Sequence, residues 1–367
     1  MVSETDFDII VIGAGVAGLS AAYFLSQEAN VLVLEQEDQP AYHSSGRSAS
    51  VYIEGYENPV VAELTKNAGK FFFNPPAGFS DVPLLHDRGG MTVSGPGEEA
   101  KLEKYLSVWQ PLCPNLTGVS LDAALELCPI LNPDWMTAAA YDPDWKSIDT
   151  HALVTGFQRG FIANGGSLQT KAQVTALESD SRGWSVTAGE SIWRAQSIVN
   201  ASGAWANQIA ALAGLPEKPL TPMRRTAAIV PVGDDAKTWP LVHTIAETLY
   251  FKPESPGLMV CPQDETPTEP MDAYPEDMDI AIALDHFAKA TTLNVERVMS
   301  SWAGLRTFAP DRYPVVGFDK NKPGFFWLAG QGGFGVQTSP ELGKLVADNI
   351  LKSVPLPDAI GAGRFAL

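Results

Sequence analysis

An α/β (α+β) architecture is predicted by three observations. Residues 9–36, IIVIGAGVAGLSAAYFLSQEANVLVLEQ, read as an apolar strand, a glycine-punctuated turn, an amphipathic helix and a second apolar strand. A second glycine-rich junction between strand and helix, GFFWLAGQGGFGVQTSPELGKLVADNILKS, occupies 324–353. Between them lie strand-rich stretches with long loops and no internal repeat, TPMRRTAAIVPV and SSWAGLRTFAP among them. Together these predict a nucleotide-type domain assembled from the start, middle and end of the chain. A strand-rich domain then covers its open face.

A chain of 367 residues is too long for one simple core, so two domains are expected. Residues 1–85, 146–215 and 315–367 would form the discontinuous cofactor domain, and 86–145 and 216–314 the substrate-binding domain. The formal net charge of −18 argues against nucleic acid or an anionic membrane as partner, since both need basic surface. Cys113, Cys128 and Cys261 are odd in number and widely spaced, which gives neither a disulfide framework nor a metal pattern. No metal site is expected. No apolar run approaches the roughly 20 residues of a membrane span. The acidic start MVSETDFD lacks the basic segment of a signal peptide, so a cytoplasmic location is expected, with peripheral membrane association left open.

In chain order, DFDIIVIGAG reads as a buried parallel strand and NVLVLEQ as its neighbour, joined by a right-handed crossover. AYHSSGRSASVYIEGYENP is a long loop leading to a helix that stops at Pro75 and Pro76. PLLHDRGGMTVSG resembles a strand pair about a Gly-Gly turn. EEAKLEKYLSVWQPL and LDAALELCPIL are short amphipathic helices. The helix in DTHALVTGFQRGFIANGG ends at Gly165 and Gly166. SLQTKAQVTALES, GWSVTAG and AQSIVNASG are strands, and the acidic, Pro-rich PQDETPTEPMDAYPEDMD reads as a solvated loop.

Gly13, Gly15 and Gly18 match G-x-G-x-x-G between a strand and a helix. The first glycine permits a tight turn, the second removes a Cβ that would hold a pyrophosphate away, and the third lets helix and strand pack closely. The helix start presents free N–H groups and a partial positive charge to phosphate. Glu35, at the end of the second strand, can accept hydrogen bonds from a ribose and disfavours a 2′-phosphate. This motif, near the N-terminus and followed by LEQEDQPAYHSSGRSAS, favours FAD over NAD.

On VIGAGVAGLSAAYFL, HSSGRSAS, VNASGAWA, WAGLRTFAPDRYPVVG and LAGQGGFGVQTSPELG, in that order, the chain resembles the FAD-dependent D-amino-acid oxidase and dehydrogenase superfamily. AYHSSGRSAS, FFNPPAGF, PLL, ETLYFKP and GGFGVQTS are most similar to its bacterial D-arginine dehydrogenase type. The resemblance implies a Rossmann-like FAD-binding domain with non-covalent FAD. Contacts would come from Gly13, Ala14, Gly15, Gly18, Glu35 and Gln36, from Ser44, Ser45, Ser48 and Ala49 along flavin and pyrophosphate, from Val174 toward adenine, and from Gly203. Gly332, Gly333, Val336, Gln337 and Thr338 would bring a helix start to the pyrimidine end of the flavin, where a positive dipole stabilises the reduced anion.

The same resemblance implies a carboxylate site of Arg306, Arg225 and Tyr250, with Tyr56 as a mobile aromatic lid and the Gly333 backbone facing the substrate amine. Arg supplies two parallel N–H donors that match a carboxylate, although Arg224 competes with Arg225 for the role. His43 reads as a structural hydrogen-bonder, and His86 and His243 carry weaker signals. The expected reaction is hydride transfer from Cα of a neutral D-amino acid amine to flavin N5, chiefly by positioning. The imino acid then hydrolyses to a 2-oxo acid and ammonia. Electrons pass to a quinone or another acceptor. A 2-hydroxy-acid or secondary-amine oxidoreductase on the same fold is the alternative, and a non-catalytic flavin binder is a different class. The pair Arg225 and Arg306 speaks against that class.

Two positions depart from the D-arginine type. Gly90 stands where that type has an acid, and Val51 where it has a histidine. A less polar pocket follows, so D-Met, D-Phe or D-Leu is expected to be preferred over D-Arg. Gly90→Glu is expected to shift the ratio back, unless Glu54 or Asp87 replaces the lost carboxylate.

Overall fold

A computed structural model describes residues 5–365. The strand Thr5–Ile12, the helix Val16–Leu25 and the strand Val31–Leu34 form the expected unit, with Ile9 opposite Val31 in a parallel pair. Ser191–Asn200 lies parallel on the other side of the first strand, and Phe325–Ala329 pairs parallel with its last residues. Ser167–Gln169 extends the opposite edge. The antiparallel hairpin of Val174–Asp180 and Gly183–Ala188 runs along the first half of Ser191–Asn200. The start, middle and end of the chain thus meet in one eight-stranded sheet.

Both faces of this sheet are buried. Ile9, Val11, Val31 and Val33 pack with the first helix and the final helix Gly335–Lys352, while Ile10, Ile12, Leu32 and Leu34 pack toward Ala206–Leu212. Two-sided burial explains why these strands read as unbroken apolar runs instead of alternating. The helix Thr150–Ala163 stops at Gly165, whose φ of 90° suits glycine.

A second sheet of nine strands stands over the first. Its longest pair is Thr221–Val230 against Ser300–Phe308. The outward residues Val230, Val242, Phe251 and Val260 form a separate core with the helix Asp277–Ala290, Phe251 and Phe287 meeting edge to face at 5.2 Å. The inward residues therefore belong to the space between the sheets.

Two expectations change. PLLHDRGGMTVSG is not a hairpin. Leu85–Asp87 pairs with Lys146–Ile148 in a small third sheet, while Gly90–Ser94 runs between Leu241–Thr244 and Ala138–Asp142. The Arg88 and Gly89 N–H groups donate to the Trp145 carbonyl, and Gly89, at φ 68°, turns the chain from one sheet to the other. PQDETPTEPMDAYPEDMD is no simple solvated loop. Asp264, Glu265, Asp272 and Glu276 bind Arg225, Arg312, Arg47 and Arg224. Its last residues open the helix Asp277–Ala290, whose apolar spacing and acidic first turn signal it in the sequence. Among the described residues, no helix is long and apolar enough to cross a membrane.

Candidate active site

A cavity of about 470 Å³ runs from the glycine turn to the inner face of the second sheet. A smaller one, about 70 Å³, meets it where Ser48, Ala49, Tyr250, Arg306, Gly333 and Val336 wall both.

At the glycine end, Gly13 has φ 104°, and a Cβ there would stand 2.6 Å from the Ala201 carbonyl oxygen. A Cβ on Gly15 would meet only Ser45 Oγ, at 3.4 Å, so its open side belongs to the cavity. Gly18 instead abuts the Gly13 carbonyl and lets the helix dock on the turn. The Glu35 carboxylate accepts from the Ala14 N–H at 2.7 Å and the Glu37 N–H at 3.0 Å. Ala14 is buried behind the turn. Val16 N–H donates to Ser45 Oγ at 2.9 Å. The N-cap residues Gly15 and Phe334 supply no side-chain cap of their own, so first-turn N–H groups other than that of Val16 remain for an occupant. Gln36, Ser44, Val174, Gly203 and Gly332 complete the walls named from the sequence.

Gln337 and Thr338 stand apart from that group. Gln337 accepts from the Ile53 N–H at 3.1 Å and lines the smaller cavity alone. Thr338 is fully buried and donates to the Phe334 carbonyl at 2.9 Å, lining neither. His43 meets Glu37 Oε1 at 2.9 Å and packs against Trp205.

The other end is set by β alternation. Arg225 stands opposite Gly304 and Met223 opposite Arg306, so Arg225 and Arg306 are diagonal neighbours on the inner face. Arg224 faces away and binds Asp279 at 3.0 Å, which removes it as a competitor. The two inner arginines differ. Arg225 donates through Nε to the Asp264 carbonyl at 2.7 Å and through Nη2 to Glu265 at 3.1 Å. Its Nη1 makes no hydrogen bond among the described residues. Nor does any part of the Arg306 guanidinium, which forms no ion pair among them either. Burial pushes the phenols of Tyr250 and Tyr56 up, keeping both protonated as donors. Tyr56 lines the smaller cavity. Its neighbour Glu57 binds Arg312, which also grips Glu265 with two bonds of 3.0 Å. Burial opposes the charge of Glu265, but the Arg312 bonds outweigh it and hold the carboxyl below its usual range.

Val51, Ile53, Trp145 and Leu241 give the smaller cavity its apolar walls, and no carboxylate among the described residues lines it. Its volume takes roughly five water-sized groups. Glu54 accepts from the Tyr52 hydroxyl at 2.7 Å, and exposed Asp87 pairs with Lys146 at 2.8 Å, so neither replaces the missing acid. Gly90 lies under the Trp145 indole, which a Cβ would overlap. The expectation for Gly90→Glu is therefore corrected: that side chain has no room. Burial pushes His243 down to about 4, and Thr92 Oγ1 meets its Nε2 at 2.7 Å. The weak signal at His243 thus concealed a pocket residue, and Trp145 and Trp302 were missed. The i, i+2 spacing of Trp302, Gly304 and Arg306 along one strand was the available signal for Trp302.

A family model described as FAD dependent oxidoreductase matches residues 8–349. The chain belongs to that family. It is 25% identical to human (Homo sapiens) mitochondrial dimethylglycine dehydrogenase over 96% of its own length, but it spans only 43% of that protein. With glycine oxidase of Geobacillus kaustophilus (strain HTA426) it shares 23% identity over 93% of this chain and 92% of the other. The glycine oxidase structure from Geobacillus kaustophilus superposes with a TM-score of 0.85 at 21% identity, covering 96% of both chains. L-proline dehydrogenase from P. horikoshii gives 0.86 at 21%, covering 99% and 98%.

This flavoenzyme's large cavity fits FAD. The remaining first-turn N–H groups, the open side of Gly15 and the orphaned buried Gln331 amide nitrogen in its wall all await a polar partner.

Proposed function

We propose that this FAD-dependent oxidoreductase oxidises the Cα–N bond of D-amino acids with neutral side chains. The product is a 2-imino acid, which water converts to a 2-oxo acid and ammonia. The observation that carries this reading is the unpartnered Arg306 guanidinium where the two cavities meet. Arg306 is half-buried with no counter-ion among the described residues, and a carboxylate is the anion that matches its fork. Arg225 Nη1 and the Tyr250 hydroxyl add donors beside it. Gly333 leaves room for that fork, since a Cβ there would stand 2.8 Å from Arg306 Cζ, and its carbonyl would accept from the amine.

With the carboxylate seated on Arg306, the side chain points into the smaller cavity. Tyr56 covers it there, and water is excluded. No acid is available to hold a cationic side chain, and Arg306 itself repels one. The substrate amine enters neutral. When bound, FAD supplies the acceptor for two electrons, which go on to a quinone or another acceptor. Residues 1–85, 146–215 and 315–367 would hold the cofactor and 86–145 and 216–314 the substrate, in a cytoplasmic enzyme carrying non-covalent FAD.

Oxidation of an N-alkylated amine, secondary or tertiary, at the same carboxylate seat is a second reading, favoured by the likeness to dimethylglycine dehydrogenase, whose name gives a tertiary amine. Anaerobic bleaching of the flavin by D-amino acids, L-amino acids, N-methylated glycines and 2-hydroxy acids separates the readings. Fastest bleaching by D-Met or D-Leu, well ahead of D-Arg, is expected. Bleaching by N-methylglycines alone would replace the first reading with the second, and bleaching by neither amine class would sink both.

A further inference from the structure

Gly90 is buried at the start of the strand Gly90–Ser94. Its neighbours across the sheet are Leu241 on one side and Asp142 on the other. Residues opposed on neighbouring strands point to the same face. Leu241, the bare side of Gly90 and Asp142 therefore form a row, and Leu241 is a wall of the smaller cavity. The middle of that row is occupied by the Trp145 indole, whose six-membered ring takes the place of a side chain at Gly90.

The indole is firmly held. It stacks on His243 at 5.6 Å and 23°, and its own carbonyl accepts the Gly89 N–H at 2.9 Å. Beyond it, Asp142 is 3% exposed. Its Oδ1 accepts the Asp144 N–H at 2.9 Å, the Trp145 side chain also hydrogen-bonds to its carboxylate, and no cation is ion-paired to it among the described residues. Burial raises its carboxyl above the usual range.

We infer that Trp145 is the specificity-determining residue of the pocket: its indole limits entry to short neutral side chains and screens the Asp142 carboxylate from them. The inference rests on the proposed carboxylate seat at Arg306. With a smaller residue at 145, the cavity continues over Gly90 toward Asp142. A longer side chain then fits, and a terminal ammonium takes the place of the Trp145 hydrogen bond on a carboxylate that had no counter-ion.

The experiment compares kcat/KM of the holoenzyme for D-Met, D-2-aminoheptanoate and D-Lys, the last two with side chains of equal length. Trp145→Leu is expected to raise D-Lys relative to D-Met by tenfold or more. Adding Asp142→Asn should abolish the gain for D-Lys and keep that for D-2-aminoheptanoate. Unchanged ratios in a Trp145→Leu protein that retains FAD and melts cooperatively would overturn the inference. Should that variant fold poorly, Trp145→Phe takes its place, with a smaller expected gain for D-2-aminoheptanoate, and no gain counts against it. Straight-chain carboxylates of increasing length, read by perturbation of flavin absorption, need no turnover. A longer length limit in the variant supports the gate even if no D-amino acid reacts, whereas an unchanged limit refutes it.

Discussion

The two cavities that meet at Arg306 are built from different material. At its cofactor end the larger is walled in part by glycines and small residues that bring main chain close: the turn at Gly13 and Gly15, the serines Ser44, Ser45 and Ser48 with Ala49, and the glycines before the final helix. The smaller is walled by side chains from distant parts of the chain, with Tyr56, Trp145, His243, Tyr250 and Arg306 among them. Main-chain donors neither titrate nor vary with residue type, so they suit a cofactor that stays the same. Side chains can be exchanged one at a time, so they suit a substrate pocket whose selectivity must change on a constant fold.

Arg306→Ala should separate the two regions most sharply. Cofactor retention should be unchanged while kcat/KM falls by about 10²-fold or more, since truncating one partner of a buried charge pair costs about 2–5 kcal/mol. Arg306→Lys should recover little of it, because an ammonium lacks the fork. Flavin loss on Arg306→Ala, seen as a lower visible-to-ultraviolet absorbance ratio, would break the distinction.

A smaller effect is expected from pH. His243 is pushed down to about 4 in the folded protein, from an ordinary value of 6.5. Between those values the unfolded chain binds the extra proton, so stability is fully present above about pH 6.5 and is lost as pH falls toward 4. The loss should be on the order of 2 kcal/mol at pH 4.5. Urea unfolding of wild type and His243→Asn from pH 7.5 to 4.5 checks it: the variant should lose less stability over that range. Parallel curves would remove His243 as the cause.

The smallest effect tests an exception, a side chain at the main-chain end. Glu35→Ala strips an acceptor from the Ala14 and Glu37 N–H groups. Flavin retention should weaken roughly tenfold, about 1.4 kcal/mol, as measured by equilibrium dialysis of released FAD. The kcat of the loaded fraction should be unchanged. Equal retention would show that Glu35 serves the turn alone.

Much of the cofactor end was legible in the sequence, because its contacts are local. Gly13, Gly15 and Gly18 lie within six residues of one another, and each states its own steric need. The substrate end was legible only where strand alternation carried it, as for Arg306. Trp145 gave no signal. It precedes a short strand, and its importance comes from Gly90, on a different sheet. The acids of the Pro-rich segment looked solvated because their arginine partners lie far along the chain. In Asp277–Ala290 the helical periodicity is masked by the prolines and acids that precede it.

The sequence by itself determined the glycine turn, the buried parallel strands, the helix starts and the arginine-bearing strand, since backbone sterics and residue periodicity act over a few neighbours. Which arginine is free depends on long-range packing. Arg225 and Arg306 look alike in sequence, but Asp264 and Glu265 fold onto one and leave the other bare. Long-range packing also decides that a missing side chain at Gly90 means a pocket closed by an indole and not one left open. Those outcomes depend on which distant groups share a small volume, and no local pattern encodes that.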